Sequence, residues 1–249
     1  MVNVDPIDVV IPLGTGSEWK DHQEVKYCLR SLDQNLIGLR NIYVVGYLPP
    51  WCTNVIHLHA HDPLPRNKDG NIINKVLLAC QDDNLSPSFL RISDDQLLLK
   101  PSTVDNLRAD HAGDLKKMSH WINTKWFRRL KRTYEYLLSH NYPTYNYDIH
   151  IPFMIDKKKF VEVWSSIDFE SDIGYCINTL FFNIIFCNAN NKCYIWDEKC
   201  TIEKQYYDQQ QIYQMLQDKR FLGYGVRGLN DTLKIIIKQL FPNKSKYEH

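Results

Sequence analysis

The first apolar run of the chain, Ile7-Asp-Val-Val-Ile-Pro-Leu13, is rich in β-branched residues and predicts a buried strand that breaks into a loop at Pro12. Apolar residues then recur at helical spacing, Val25, Cys28, Leu29 and Leu32, which predicts a helix between Glu18 and Leu36. Asn41-Ile-Tyr-Val-Val-Gly46 reads as a second buried strand. Strand, loop, helix, strand is a βαβ unit, so these strands are expected to lie parallel. Near the other end, Leu233, Ile236, Ile237 and Leu240 mark the buried face of a last helix, with Asn230-Asp-Thr232 as its cap. Thr179 to Phe186 is apolar but short and interrupted by Asn183, which predicts a buried helix or strand.

A further strand, Phe89-Leu-Arg-Ile-Ser93, runs into Asp94 and Asp95 and continues apolar through Leu97 to Leu99. Adjacent acids are costly inside a sheet unless a cation or strong hydrogen bonds hold them. A strand that stops at paired aspartates is suited to a hard divalent metal with oxygen ligands, and equally to a turn with two solvated acids. The first strand ends in Pro12, Leu13, Gly14, Thr15, Gly16 and Ser17, a loop of small side chains and free amides that lets a ligand approach the main chain. It lacks the Gly-Lys-Ser/Thr ending of a P-loop and the three spaced glycines of a dinucleotide fingerprint. In open parallel sheets ligands sit at the carboxyl ends of strands, so the loop and the acid pair are expected to form one site.

Bulk properties narrow the picture. At 249 residues the chain can bury a substantial core as one α/β domain, and a net charge of +1 gives no whole-chain field for a polyanion. The seven cysteines are scattered without a CxxC pair, which predicts reduced, mostly buried thiols and no zinc cage. No secretory signal and no bilayer-spanning run is apparent, so a cytoplasmic protein without a membrane partner is expected.

With Val9-Val-Ile-Pro-Leu13 and Ile92-Ser-Asp-Asp95 at two strand ends, the N-terminal half resembles nucleotide-sugar glycosyltransferases of the GT-A fold. The order of Lys26–Leu32, Asn41–Val45 and the helical Asn71–Cys80 is similar to Stealth-type sugar-phosphate transferases. Tyr147–Phe160 and the tail Leu240–Glu248 resemble phage-borne glycosyltransferase-like proteins. The resemblance implies an α/β, Rossmann-like, mostly parallel central sheet flanked by helices, with a helical C-terminal region. Residues 1–110 would bind the nucleotide-sugar and 111–249 would form the acceptor side of the same domain.

The resemblance also implies Mn²⁺ or Mg²⁺ held at Asp94 and Asp95, and a UDP-hexose donor such as UDP-glucose. The common acidic motif is Asp-x-Asp, whereas this chain has Ser93-Asp-Asp-Gln96. Aligning Ser93 first keeps Asp95 as the ligand and leaves Asp94 to a ribose hydroxyl or a metal-bound water. Aligning Asp94 first puts Gln96 in the ligand position. The first alignment is favoured. Pro12, Leu13, Gly14, Thr15 and Ser17 would carry base and ribose; Lys75, on the helix before the acidic strand, faces either the nucleotide or, as lysines mostly do, solvent.

Asp148 and His150 are the candidates to take the acceptor proton. They lie two apart, which in an extended strand puts both on one face, and Pro152 favours extension. His150 is alternatively a metal ligand or a packed core histidine. Residues 116–138 are expected to form one basic, aromatic helix, with Lys125, Trp126, Arg128, Arg129 and Arg132 as an acceptor surface. Such a surface suggests a polyanionic acceptor, and the resemblance to phage-borne proteins implies a hydroxymethylated pyrimidine in DNA, flipped from the duplex. The rival acceptor is a polysaccharide or other glycan, and a third reading is an inert binding module. Asp208 and Arg227 are lesser candidates for the site.

Overall fold

The computed structural model describes residues 6–107, 109–117, 124–187, 198–204 and 206–249. Its strands in chain order are β1 (Ile7–Leu13), β2 (Leu39–Gly46), β3 (Ile56–Leu58), β4 (Ser88–Arg91), β5 (Gln96–Leu98), β6 (Phe153–Asp156), β7 (Lys199–Ile202) and β8 (Phe221–Tyr224). The larger sheet has the order β3-β2-β1-β4-β6, parallel except for β6, and the smaller sheet has the order β5-β8-β7. Every residue of β1 is buried, as its uninterrupted apolar pattern requires for a central strand.

The strand does not break at Pro12. It pairs with β2 as far as Leu13 opposite Gly46, while its pairing with β4 ends at Val10 opposite Arg91. Pro12 therefore sits where one neighbour has already departed, which is where a residue without an N–H is tolerated.

Asp8 is the one acid within β1 and is fully buried. Arg40 Nε and Nη2 donate to its two oxygens at 2.9 and 2.5 Å, and Ser86 donates through N and Oγ at 2.8 and 2.9 Å. Burial pushes this carboxyl up, but Arg40 and Ser86 together outweigh burial and hold it below its ordinary value.

The helices are α1 (Gln23–Asn35), α2 (Lys68–Cys80), α3 (Lys125–Ser139), α4 (Lys157–Ser165), α5 (Ile177–Ile185), α6 (Gln209–Leu216) and α7 (Asp231–Leu240). The expected α1, α2 and α7 form, and Asn230 Oδ1 caps α7 by accepting from Leu233 N at 2.9 Å. The apolar Thr179–Phe186 stretch is helical, within α5 and its C-cap.

A single helix over 116–138 does not form. Leu115–Lys117 is a 3₁₀ turn, residues 118–123 lie outside the described ones, and Thr124 caps α3 by accepting from Phe127 N. The cap residue has extended φ/ψ, so α3 starts at Lys125. Further on, β7 ends at Ile202, and Asp208 caps α6. The described cysteines are free thiols, Cys28, Cys52, Cys80, Cys176, Cys187 and Cys200; Cys193 lies outside the described residues. No helix among the described residues is long and apolar enough to cross a membrane.

Candidate active site

Strands β3, β2, β1 and β4 bring their carboxyl ends to one edge of the larger sheet. The chain steps outward from β1 to β2 and β3, then returns to β4 on the other side of β1. The topological switch point thus lies between β1 and β4, where α/β sheets bind ligands. A cleft of about 460 Å³ opens there, lined by Pro12, Gly14, Thr15, Gly16 and Ser17 on one wall and by Asp62, Lys68, Asn71 and Lys75 on another. Asp94 and Asp95 also line it, with Lys125, Tyr224 and Gly225. The structure therefore gathers the loop, the acid pair and Lys75 into one cleft.

The loop is braced by Glu24, a buried residue in the first turn of α1 that sequence reasoning missed. Its Oε1 accepts from Glu18 N and Trp19 N, both at 2.7 Å, and its Oε2 lies 2.6 Å from Ser17 Oγ. Ser17 Oγ also lies 2.5 Å from Trp19 O. The Ser17 hydroxyl is thus committed to the loop's own shape. Gly16 has no atom near the place of a Cβ, and Gly14 has only an ordinary contact with Asp62, so neither glycine is required by packing.

Lys75 is not solvated, against the general habit of lysines: it is 3% exposed. Its Nζ donates to Leu13 O at 2.9 Å and to Asp62 Oδ1 at 2.5 Å. Leu13 itself contributes this carbonyl behind the wall. Room for the lysine comes from Gly46, at φ +115°, where a Cβ would fall 2.1 Å from Leu13 O and 2.9 Å from Lys75 Cε.

Between β4 and β5 the chain turns sharply at the acids. Gln96 is buried and its Oε1 accepts from Ser93 N at 3.0 Å, so this side chain closes the turn and faces Ser93. Burial, reinforced by the charge of Asp95, pushes Asp94 up to about 6. Burial also acts on Asp95, but neighbouring His150 outweighs it and holds that carboxyl below its ordinary range.

His150 and Asp148 do not share a strand face. Residues 149–151 bend, and His150 takes φ +55°, a left-handed conformation rarely adopted by residues with a Cβ. The extended segment after Pro152 is β6 instead. The bend separates the two side chains. Asp148 Oδ2 accepts from Trp126 Nε1, whereas His150 Nε2 comes within 3.2 Å of Asp95 Oδ2. This approach is poorly aligned for a hydrogen bond: His150 Nε2 and Asp95 Oδ1 are both buried without a hydrogen-bond partner. His150 Nε2 thus meets Asp95 as an ion pair, without a well-aligned hydrogen bond.

The smaller sheet makes this placement possible. A Cβ on Gly223 of β8 would fall 2.5 Å from His150 Cδ2 and 3.1 Å from His150 O. Lys199 Nζ of β7 donates to Ile149 O. No local sequence pattern announces either contact, because both are long-range.

The expected acceptor surface on α3 is divided. Lys125 lines the cleft and Arg128 is exposed. Arg129 is buried, its Nη1 donating to Asp69 Oδ2 at 2.5 Å and its Nε to Ile173 O at 3.2 Å. Arg132 donates to Ser171 Oγ and lies 4.4 Å over the Tyr175 ring. Arg129 and Arg132 hold α3 to the segment before α5 and do not present a basic face. Trp121 lies outside the described residues. Asp208 is used as a helix cap and Arg227 is exposed beside the cleft-lining Val226.

No protein-family model matches the chain, and no curated protein sequence matches it. Solved structures do. The bifunctional glycosyltransferase WbbM aligns over 98% of this chain at 12% identity with a TM-score of 0.53. The galactosyltransferase LgtC, solved with donor and acceptor sugar analogs, aligns over 98% of both chains at 11% identity and TM-score 0.44. Mouse xyloside xylosyltransferase 1 aligns over 88% of this chain and 97% of its own at 8% identity and TM-score 0.40. The chain spans about half, 51%, of the WbbM chain it matches. The fold is the mixed α/β architecture of GT-A-type glycosyltransferases, with a mostly parallel central sheet flanked by helices.

Proposed function

We propose that the chain is a metal-dependent glycosyltransferase that moves a hexose from a UDP-sugar to a hydroxyl of a glycan. One observation carries this reading: Asp95 lines the cleft at the sheet's switch point with His150 Nε2 3.2 Å from its Oδ2, while its Oδ1 and His150 Nε2 are buried without hydrogen-bond partners. Orphaned polar atoms of this kind ask for a ligand. Among the described residues no three His, Cys, Asp or Glu side chains assemble a complete cage. A Mg²⁺-type ion needs less, because it takes one or two protein ligands and completes its shell with water and substrate phosphates.

Asp95 fits as the carboxylate ligand for Mn²⁺ or Mg²⁺, with His150 as a nitrogen ligand where the ion is Mn²⁺, in keeping with the alignment that places Ser93 first. Bound there, the ion supplies Lewis-acid stabilisation of the leaving diphosphate. Asp94 holds a ribose hydroxyl or an ordered water. Lys68 and Lys75 set positive charge on the same wall, and the Pro12–Ser17 loop offers backbone amides to base and ribose. In this reading His150 is a ligand, and Asp148 orients the acceptor side through Trp126.

The acceptor is assigned to a glycan because Arg129 and Arg132 are used inside the fold. Of the four cations named for that surface Lys125 and Arg128 stay exposed, a thin track for a DNA backbone, whose binding rests on neutralising many phosphates. Calorimetric titration of UDP and UDP-glucose, with and without Mn²⁺, tests the proposal. Binding is expected to depend on Mn²⁺ and to lose that dependence in Asp95→Ala. If neither these nor other nucleotide-sugars bind the wild type, the reading is wrong.

A further inference from the structure

Through the end of β3, the edge strand of the larger sheet, and beyond it the chain runs His57-Leu-His59-Ala-His61-Asp62. His57 is occupied, its Nε2 2.9 Å from Gly46 O. His59 and His61, just beyond the strand, bring their Nε2 atoms to 3.3 Å, with rings at 89° and centroids 4.7 Å apart. Both side chains are exposed.

A tetrahedral Zn²⁺ binds imidazole nitrogen at about 2.0–2.1 Å, so two nitrogens on one ion stand about 3.3–3.4 Å apart. The two Nε2 atoms already hold that edge of the tetrahedron. We propose that His59 and His61 form a binding site for a zinc-class transition-metal ion, separate from the Asp95–His150 cleft site. Two protein ligands and an exposed position make it an exchangeable site whose remaining positions take water. Ligand chemistry separates the two sites: paired imidazoles favour Zn²⁺, Ni²⁺ or Cu²⁺, whereas Mg²⁺ prefers oxygen. The site adjoins the donor cleft, because Asp62, next in the chain, lines it and anchors Lys75.

The test is calorimetric titration of ZnCl₂ into the full chain with Mg²⁺ in excess, using wild type, Asp95→Ala and the double variant His59→Gln/His61→Gln. About one equivalent is expected in the first two and none in the double variant. Thermal melting without zinc serves as the folding control, and an unchanged midpoint is expected because both histidines are exposed. The proposal is overturned if the wild type takes up no zinc, if the double variant binds it undiminished, or if Asp95→Ala alone removes it. It does not depend on the glycosyltransferase reading, because failure of UDP-sugar binding leaves the zinc titration unaffected.

Discussion

Gly223→Ala is expected to leave a folded protein that has lost on the order of 10²-fold in transfer rate. The added methyl would stand 2.5 Å from His150 Cδ2 and 3.1 Å from His150 O, closer than atoms pack. Gly223 pairs with Gln96 on one side and Thr201 on the other, so the centre of β8 cannot retreat without dragging both neighbours. His150 sits on a bend outside any strand, which makes it the partner that moves. Its 3.2 Å approach to Asp95 is then lost. Overpacking of this size costs about 1–3 kcal/mol, which lowers the melting midpoint without unfolding the chain. Rates at saturating donor and a Mn²⁺ titration should therefore fall together while circular dichroism keeps its native form. Wild-type rate and metal affinity in a folded Gly223→Ala protein would sink the assignment of His150.

The largest stability effect is expected from Arg40→Met. The asymmetry of the pair decides this: the Asp8 side chain is fully buried, whereas that of Arg40 is 42% exposed. Removing Asp8 frees a guanidinium that water can reach. Removing Arg40 strands a carboxylate inside the central strand, a change that costs about 3–5 kcal/mol when nothing compensates. The two Ser86 donors remain, so the low end of that range is expected for Arg40→Met, with Asp8→Asn milder.

The pH dependence gives a second readout. In the wild type the Asp8 carboxyl lies below its ordinary value of 3.8, so its stabilisation is present above that value and is lost as acid protonates it. Without Arg40 two of the lowering influences are gone, only the Ser86 donors oppose burial, and the folded value moves up from its wild-type position. The variant should then lose less stability than the wild type as acid protonates Asp8, a shallower slope between neutral and acid pH. Denaturant melts between neutral and acid pH measure both slopes, and parallel wild-type and variant profiles would refute the account.

Asp8 also illustrates what the sequence conceals. Its strand was legible because one acid among six β-branched and apolar neighbours does not disturb the pattern. The partner 32 residues away leaves no local trace. The same holds for the site. The loop after β1 and the turn after β4 were readable as strand ends, and parallel topology placed them together. Lys75 was misjudged because base rates carry no information about the space that Gly46 opens behind the β1 loop. The pairing of Asp148 with His150 failed because a period-two argument holds only in extended backbone, and His150 is left-handed. The basic helix failed for a different reason. Composition reports how many arginines a segment has, but not that Asp69 and Ser171 already hold two of them. The smaller sheet, built from strands of three or four residues, is too short for periodicity to detect.

The acid turn has one further property, which concerns the mechanics of the fold. Residues 92–95 are the whole connection between β4 of one sheet and β5 of the other, while His150 leads into β6 at the larger sheet's far edge. A cation gripped by Asp95 and His150 would act as a rivet through the seam, joining segments that the backbone brings together only by way of a long detour. Ligand capture and rigidity are then one event in this molecule. Any change that loosens the seam would then weaken capture as well.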